Sequence, residues 1–263
     1  MKHNFKIIST LIILFLLAQF IGLYISNIYF SKELPFGIQK PKYEGKASSI
    51  GIFLSILIVT IFAILLIRLN AERFWRLWFF LSVWFALLIS LSAFINQGLA
   101  LLASLIIAIF KVIKQNIVIH NLSELFIYGG LAAIFSQSLS IFSVSILLIL
   151  ISIYDMIAVW KTKHMIKLAK FQTRLKLFAG LLIPYKYKKE TKTAILGGGD
   201  IGFPLLFAAA VLKSYGIKSL IIPLVTASFL LMLFIYGKKN KFYPAMPFLS
   251  IGCFLGYFLV LIF

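Results

Sequence analysis

Stretches of about 20 apolar residues recur along the chain with only short polar segments between them, and each is as long as a helix that crosses about 30 Å of hydrocarbon. Read this way, spans run from Ile7 to Tyr29, Ala47 to Ile67, Phe74 to Ile95, Gly98 to Phe110 and beyond, Leu125 to Ser140, Ile141 to Trp160, Thr193 to Leu212, Ile217 to Tyr236 and Tyr243 to Phe263. The expected fold class is all-α, a polytopic membrane protein of about nine transmembrane helices. Composition agrees, since 62% of the 263 residues are hydrophobic and 13% charged, more apolar surface than a water-soluble core of this size could hide. Lys111 and Lys114 interrupt the fourth span, and only Gln137 with its serines parts the fifth from the sixth, so these two have the least defined ends.

The net charge of +19 would point to nucleic acid in a soluble protein, but here the placement of the charges matters more than their sum. No nucleic-acid partner is expected. With the amino terminus in the cytoplasm, inside segments collect Lys2, Lys6, Arg68, Arg73, Arg76, Lys111, Lys114, ten basic residues between Lys161 and Lys192, and Lys238, Lys239 and Lys241. Outside segments hold Lys32, Lys40, Lys42, Lys46, Lys213 and Lys218. Twenty against six fixes the orientation by the positive-inside rule and places the carboxyl terminus outside, in the cell membrane. The first span follows a basic start like a secretory signal, but its apolar run is too long and no small-residue cleavage site follows, so it is expected to remain a helix.

Three blocks follow: residues 1–160 with six helices, a basic cytoplasmic loop at 161–192, and residues 193–263 with three helices. In the loop, Phe171, Leu175, Phe178 and Leu182 are interleaved with basic residues. That pattern suits either a short helix on an anionic lipid surface or a solvated basic linker, and membrane lipids are an expected partner.

Asp155 and Asp200 are the only aspartates, and both fall inside spans, whereas the five glutamates lie in loops or near span ends. Asp155 is about 9 Å of helix from the basic loop and Asp200 about 12 Å, at 1.5 Å per residue. They reach similar depths from the same face. A carboxylate alone in hydrocarbon costs several kcal/mol, so each must face the bundle interior, water or a partner. No cation stands at that depth in the well-defined spans, which leaves the two acids as partners for each other. Two carboxyls held close cannot both ionise cheaply and share one proton. A water between them is activated by the ionised group while the protonated group polarises a carbonyl. From this pair alone, an aspartic hydrolase and a proton-coupled transporter remain equal readings.

Glycine in "GGGD" (Gly197, Gly198, Gly199, Asp200) lets backbone approach closely, as a peptide substrate requires, and Pro244 and Pro247 in "YPAMPF" open the last span with unpaired carbonyls and a narrow wall. Together these residues resemble a known family. Tyr154-Asp155 in the sixth span, Gly197-Gly198-Gly199-Asp200 in the seventh and Pro244-Ala245-Met246 at the ninth are similar, in order and spacing, to the YD, GxGD and PAL motifs of the presenilin and signal peptide peptidase intramembrane aspartyl proteases. Met246 stands where the family has leucine, a volume-conserving change that bears on substrate fit. The resemblance implies a presenilin-like fold and cleavage of peptide bonds in transmembrane segments. It makes Asp155 and Asp200 the catalytic dyad, with Tyr154, the three glycines, Pro244, Ala245 and Met246 shaping the cleft. It also implies that a substrate strand pairs near Thr191 to Ile195. The family holds both orientations, signal peptide peptidases being inverted, and the charge count places this chain's basic loop in the cytoplasm as in presenilins. Compact loops look like a stand-alone microbial member, with transmembrane substrates as partners and self-association as a homo-oligomer left open.

No cofactor or metal is expected. There is no H-E-x-x-H, and His3, His120 and His164 are scattered over termini and loops as surface residues. No G-x-S-x-G appears. A prepilin-type peptidase shares the GxGD aspartate but not nine spans or a Pro-Ala-Met element. Glu124 reads as an interface anchor for the fifth span. Cys253, the single cysteine, reads as a small lipid-facing or packing residue.

Overall fold

A computed structural model describes residues 5–39, 47–69, 71–114, 116–162, 164–187, 190–237 and 243–263. The expectations for His3, for the side chain of His164 and for Lys2, Lys40, Lys42, Lys46, Lys163, Lys188, Lys189, Lys238, Lys239 and Lys241 lie outside what it describes.

Among the described residues, nine apolar helices are present: α1 Phe5–Ser31, α2 Ala47–Arg68, α3 Glu72–Leu91, α4 Gln97–Ile109, α5 Ile117–Phe135, α6 Ile141–Met156, α8 Gly198–Tyr215, α9 Ile221–Tyr236 and α10 Met246–Ile262. α4 and α6 each run on into a π-helical turn, Phe110–Lys114 and Ile157–Lys161. The helical stretch Gly198–Tyr236, 39 residues long, is nearly twice what a bilayer requires. It turns back at Gly216, whose φ of +59° suits only glycine without strain. Between α6 and α8 lie the amphipathic helix α7, His164–Arg174, and an antiparallel hairpin of β1 Gly180–Tyr187 and β2 Glu190–Gly197.

α8 is the axis of the molecule. Ile201 and every residue from Pro204 to Val211 are buried, and the small Ala208, Ala209 and Ala210 let neighbouring backbones come close. α1, α5, α6, α9 and α10 pack around it. On α1, Gly22 leaves room for Leu205, since a Cβ there would stand 2.3 Å from that side chain. Also on α1, Gln19 donates to the carbonyl of Ile201 at 2.8 Å and ties α1 to the first turns of α8.

Several expected boundaries move, each for a local reason. α5 begins at Ile117 rather than Leu125, because the Asn116 side chain caps it by accepting from the N–H groups of Val118 and Ile119. The seventh membrane helix begins at Gly198 rather than Thr193, because Thr193 to Gly197 are paired with β1. The fold is thus helical with one small sheet. α10 begins at Met246 rather than Tyr243, with Pro247 in its first turn, where a missing N–H costs no helical bond.

The basic loop contains the short helix of one of the two expected forms. α7 forms, but Phe171, Leu175 and Leu177 are buried against Trp75 of α3 and Ala63 and Leu66 of α2. The rings of Trp75 and Phe171 meet perpendicularly at 5.5 Å. Arg174 reaches Glu72 at 3.1 Å in an exposed ion pair, which adds little stability beside the apolar contact.

Candidate active site

Asp155 is next to last in α6 and only 5% exposed. Its carboxylate reaches the start of α10, where Oδ2 accepts from the N–H of Met246 at 3.1 Å and the carboxylate also accepts from the N–H of Ala245. The first N–H groups of a helix have no partner within it. Pro244 and Pro247 have no N–H to offer, so the Pro-Ala-Met-Pro run presents just these two donors to an anion at the positive end of the helix. A Ser152 Oγ to Ser250 Oγ bond of 2.8 Å, one turn earlier on α6, holds α6 and α10 together.

Asp200 occupies the third position of α8, half-buried, and its carboxylate accepts from the N–H of Gly197, the residue that caps the helix. This is the returning half of a capping box, with an aspartate in the role of the usual glutamate. Both acids therefore stand at helix N-termini: Asp155 caps the start of α10, and Asp200 lies in the first turn of α8. They line one cavity of about 1820 Å³.

The same cavity is lined by Tyr154, Gly197, Gly198, Gly199, Ala245 and Met246, so the structure brings together all the sequence-derived site residues except one. Pro244 is buried and stands behind the wall. Tyr154 shares a hydrogen bond with Thr60 of α2 and meets Phe53 edge to face at 6.4 Å, so it joins the Asp155 helix to α2. The three glycines are not equivalent. A Cβ on Gly197 would lie 3.2 Å from Asp200 Oδ2, and one on Gly198 would lie 2.8 Å from the Tyr128 hydroxyl. At Gly199 the nearest neighbour is Phe203 at 3.5 Å, an ordinary contact.

A second polar cluster, missed in the sequence, lies against this cavity. Lys111 and Glu124 are 2% and 1% exposed and form an ion pair of 2.6 Å. Glu124 is a buried residue well inside α5, not an interface anchor, and it also accepts from the Tyr128 hydroxyl and, at 3.1 Å, from the N–H of Gly180. His120 is likewise buried rather than on the surface, its Nε2 donating to the carbonyl of Gly180 at 2.7 Å. A carbonyl can only accept, so that nitrogen carries the proton and Nδ1 is left to face Lys111. The missed signal was one of opposite charge: a lysine in the π-helical turn after α4 and a glutamate two turns into α5 face each other. Cys253 is buried, as a packing residue should be.

A family model described as signal-peptide peptidase, presenilin aspartyl protease, matches residues 12–263. Two solved structures, each described as a presenilin family intramembrane aspartate protease, share this fold at 19% sequence identity. One, in space group C222, superposes with a TM-score of 0.71 over 97% of this chain and 98% of that chain. The other, in space group P2, gives 0.70 over 96% of each. No curated protein matches the sequence.

Proposed function

The chain belongs to the signal-peptide peptidase and presenilin aspartyl protease family, and on that footing we propose that Asp155 and Asp200 are its catalytic pair. The protein is an intramembrane aspartic endopeptidase acting on transmembrane proteins. The observation that carries the residue assignment is that two acids from different helices line one cavity. A proton-coupled transporter and a prepilin-type peptidase are not favoured by a family match that spans nearly the whole chain.

In the proposed mechanism the two carboxyls hold one proton between them. The ionised group takes a proton from water as the water oxygen bonds to the scissile carbonyl carbon, and the protonated group gives its proton to the carbonyl oxygen. As the tetrahedral adduct collapses, the C–N bond breaks, the amine leaves with the proton removed from water, and the other carboxylate takes a proton from a hydroxyl of the adduct, which restores the shared proton. Because one acid must be charged and the other neutral, kcat/KM is expected to fall on both sides of an optimum, with two apparent constants that belong to the pair. A rate that rises monotonically through the range where carboxylic acids titrate would contradict a shared proton.

The hairpin supplies an edge for an extended substrate. The outward backbone groups of Gly180 and Leu182 on β1 are bonded to α5, through His120 and Glu124 and, at 2.8 and 3.0 Å, through Asn121. Pro184, next in the same alternation, has no N–H. In an antiparallel ladder the residues opposite Leu182 and Pro184, Ile195 and Thr193, then turn their own backbone groups away from β1. Both line the cavity that holds the acids. We assign this edge of β2 to substrate pairing. Proline at Thr193 or Ile195 removes an outward N–H while sparing the hairpin. It is expected to lower kcat/KM by about tenfold, roughly the loss of one or two backbone bonds. Cleavage at the parental rate in both variants would refute the pairing.

Charge placement supports a cytoplasmic amino terminus and hairpin in the cell membrane. Lys6 of α1 lines the cavity with Lys186 and Lys192 of the hairpin, whereas Lys218 donates to the carbonyl of Phe263 at the far end. Substrates with a cytoplasmic carboxyl terminus suit that orientation.

A further inference from the structure

We infer that one edge of α5, with Asn121 and Glu124 as its positioning residues, clamps β1 and thereby sets the place of Asp200. This rests on the assignment of Asp200 to catalysis.

The clamp takes the part of a third strand. Asn121 holds Leu182 by both backbone groups, the amide nitrogen donating to the carbonyl and the amide oxygen accepting from the N–H. One turn along α5, His120 and Glu124 do the same for the carbonyl and the N–H of Gly180. These bonds fix the register of α5 against β1 at two successive outward positions. From Gly180 the connection to Asp200 is short. Gly180 is paired with Gly197, the preceding residue Ala179 accepts from the N–H of Gly198 at 3.0 Å, and Gly197 donates to the Asp200 carboxylate. Tyr128, bonded to Glu124, meets the same segment from the side at Gly198.

Gly180 has a φ of +143°, and a Cβ there would lie 2.3 Å from the carbonyl of Leu196. The strand can enter the sheet only along this path, and Glu124 fixes its first N–H. Lys111 supplies the counter-charge, with Nζ held by Glu124, by Ser123 at 3.0 Å and by the His120 carbonyl at 3.3 Å. What β1 and Tyr128 require of residue 124 is an acceptor oxygen; the charge is there for the lysine.

The experiment compares purified full-length variants cleaving a single-span transmembrane peptide in detergent, with thermal unfolding measured alongside. Lys111→Met/Glu124→Gln removes both charges but keeps an amide oxygen for Gly180 and Tyr128, and its kcat is expected to stay within about threefold of the parent. Lys111→Met/Glu124→Met has nearly the same shape and no such oxygen. Its kcat is expected to fall about tenfold or more, with KM within about twofold, as displacement of a reacting group requires. Equal kcat in the two double variants, or a loss carried by KM alone, would overturn the clamp. Asn121→Leu, at a half-buried position apart from the ion pair, guards against a methionine variant that does not fold. It is expected to lower kcat severalfold at unchanged KM, and parental kcat there would likewise overturn the inference. Asp200→Asn in the same assay separates the two proposals. An inactive Asp200→Asn with fully active clamp variants refutes the clamp alone, whereas an active Asp200→Asn removes the role that the clamp is inferred to serve.

Discussion

Asparagine in place of either Asp155 or Asp200 is expected to lower cleavage of a single-span substrate by about a thousandfold or more, since each carboxyl has a proton to move that an amide cannot. The change is close to isosteric. In Asp155→Asn the side-chain amide would still offer an oxygen to the N–H groups of Met246 and Ala245, and in Asp200→Asn it would offer one to the N–H of Gly197, so both proteins should unfold at nearly the parental temperature. Loss of activity without loss of fold then reports chemistry. The two effects should not add: when one acid is gone the other has no partner for the shared proton, and the double variant should be no slower than the worse single one. A single variant that keeps more than about a tenth of parental activity would remove that acid from the reaction. Such a result at Asp155 would be the more telling. Its carboxylate already holds the start of α10, so it would then be a structural cap and no more.

Most of the fold could be read from the sequence because lipid leaves the backbone few choices. An apolar run in hydrocarbon must be helical, so length and hydropathy alone locate α1, α2, α3 and α6 within a few residues. The motif residues were legible for a different reason. An aspartate in a span is costly enough that its presence needs a partner, and there are only two. What could not be read depends on tertiary partners. Thr193 to Gly197 are apolar enough for a membrane helix, and only β1, donated by a loop that looks polar and basic, makes them a strand. Glu124 and Lys111 each look like the end of a span until the π-helical turn after α4 is brought against α5. The caps could have corrected part of this. Asn96, Asn116 and Ser140 all accept from the first turns of the helices they precede, and Asn116 in particular marks the true start of α5.

The buried pair carries the largest expected effect on stability. Lys111 and Glu124 have almost no exposure, and breaking a buried ion pair from one side costs about 3–5 kcal/mol because the remaining charge is uncompensated. The two halves are not symmetrical. Lys111→Met leaves a carboxylate that keeps two donors, the Gly180 N–H and the Tyr128 hydroxyl. Glu124→Met leaves an ammonium facing only neutral acceptors, and it also strips those two donors of their acceptor. Glu124→Met should therefore be the less stable single variant. Removing both charges together should recover the part of the loss that comes from the uncompensated charge, while the Gly180 N–H and the Tyr128 hydroxyl stay without their acceptor. Unfolding in detergent, followed for the parent, both single variants and the double variant, closes the cycle. Single variants that each lose less than about 1 kcal/mol, or a double variant no more stable than Glu124→Met, would mean that the charges are not coupled.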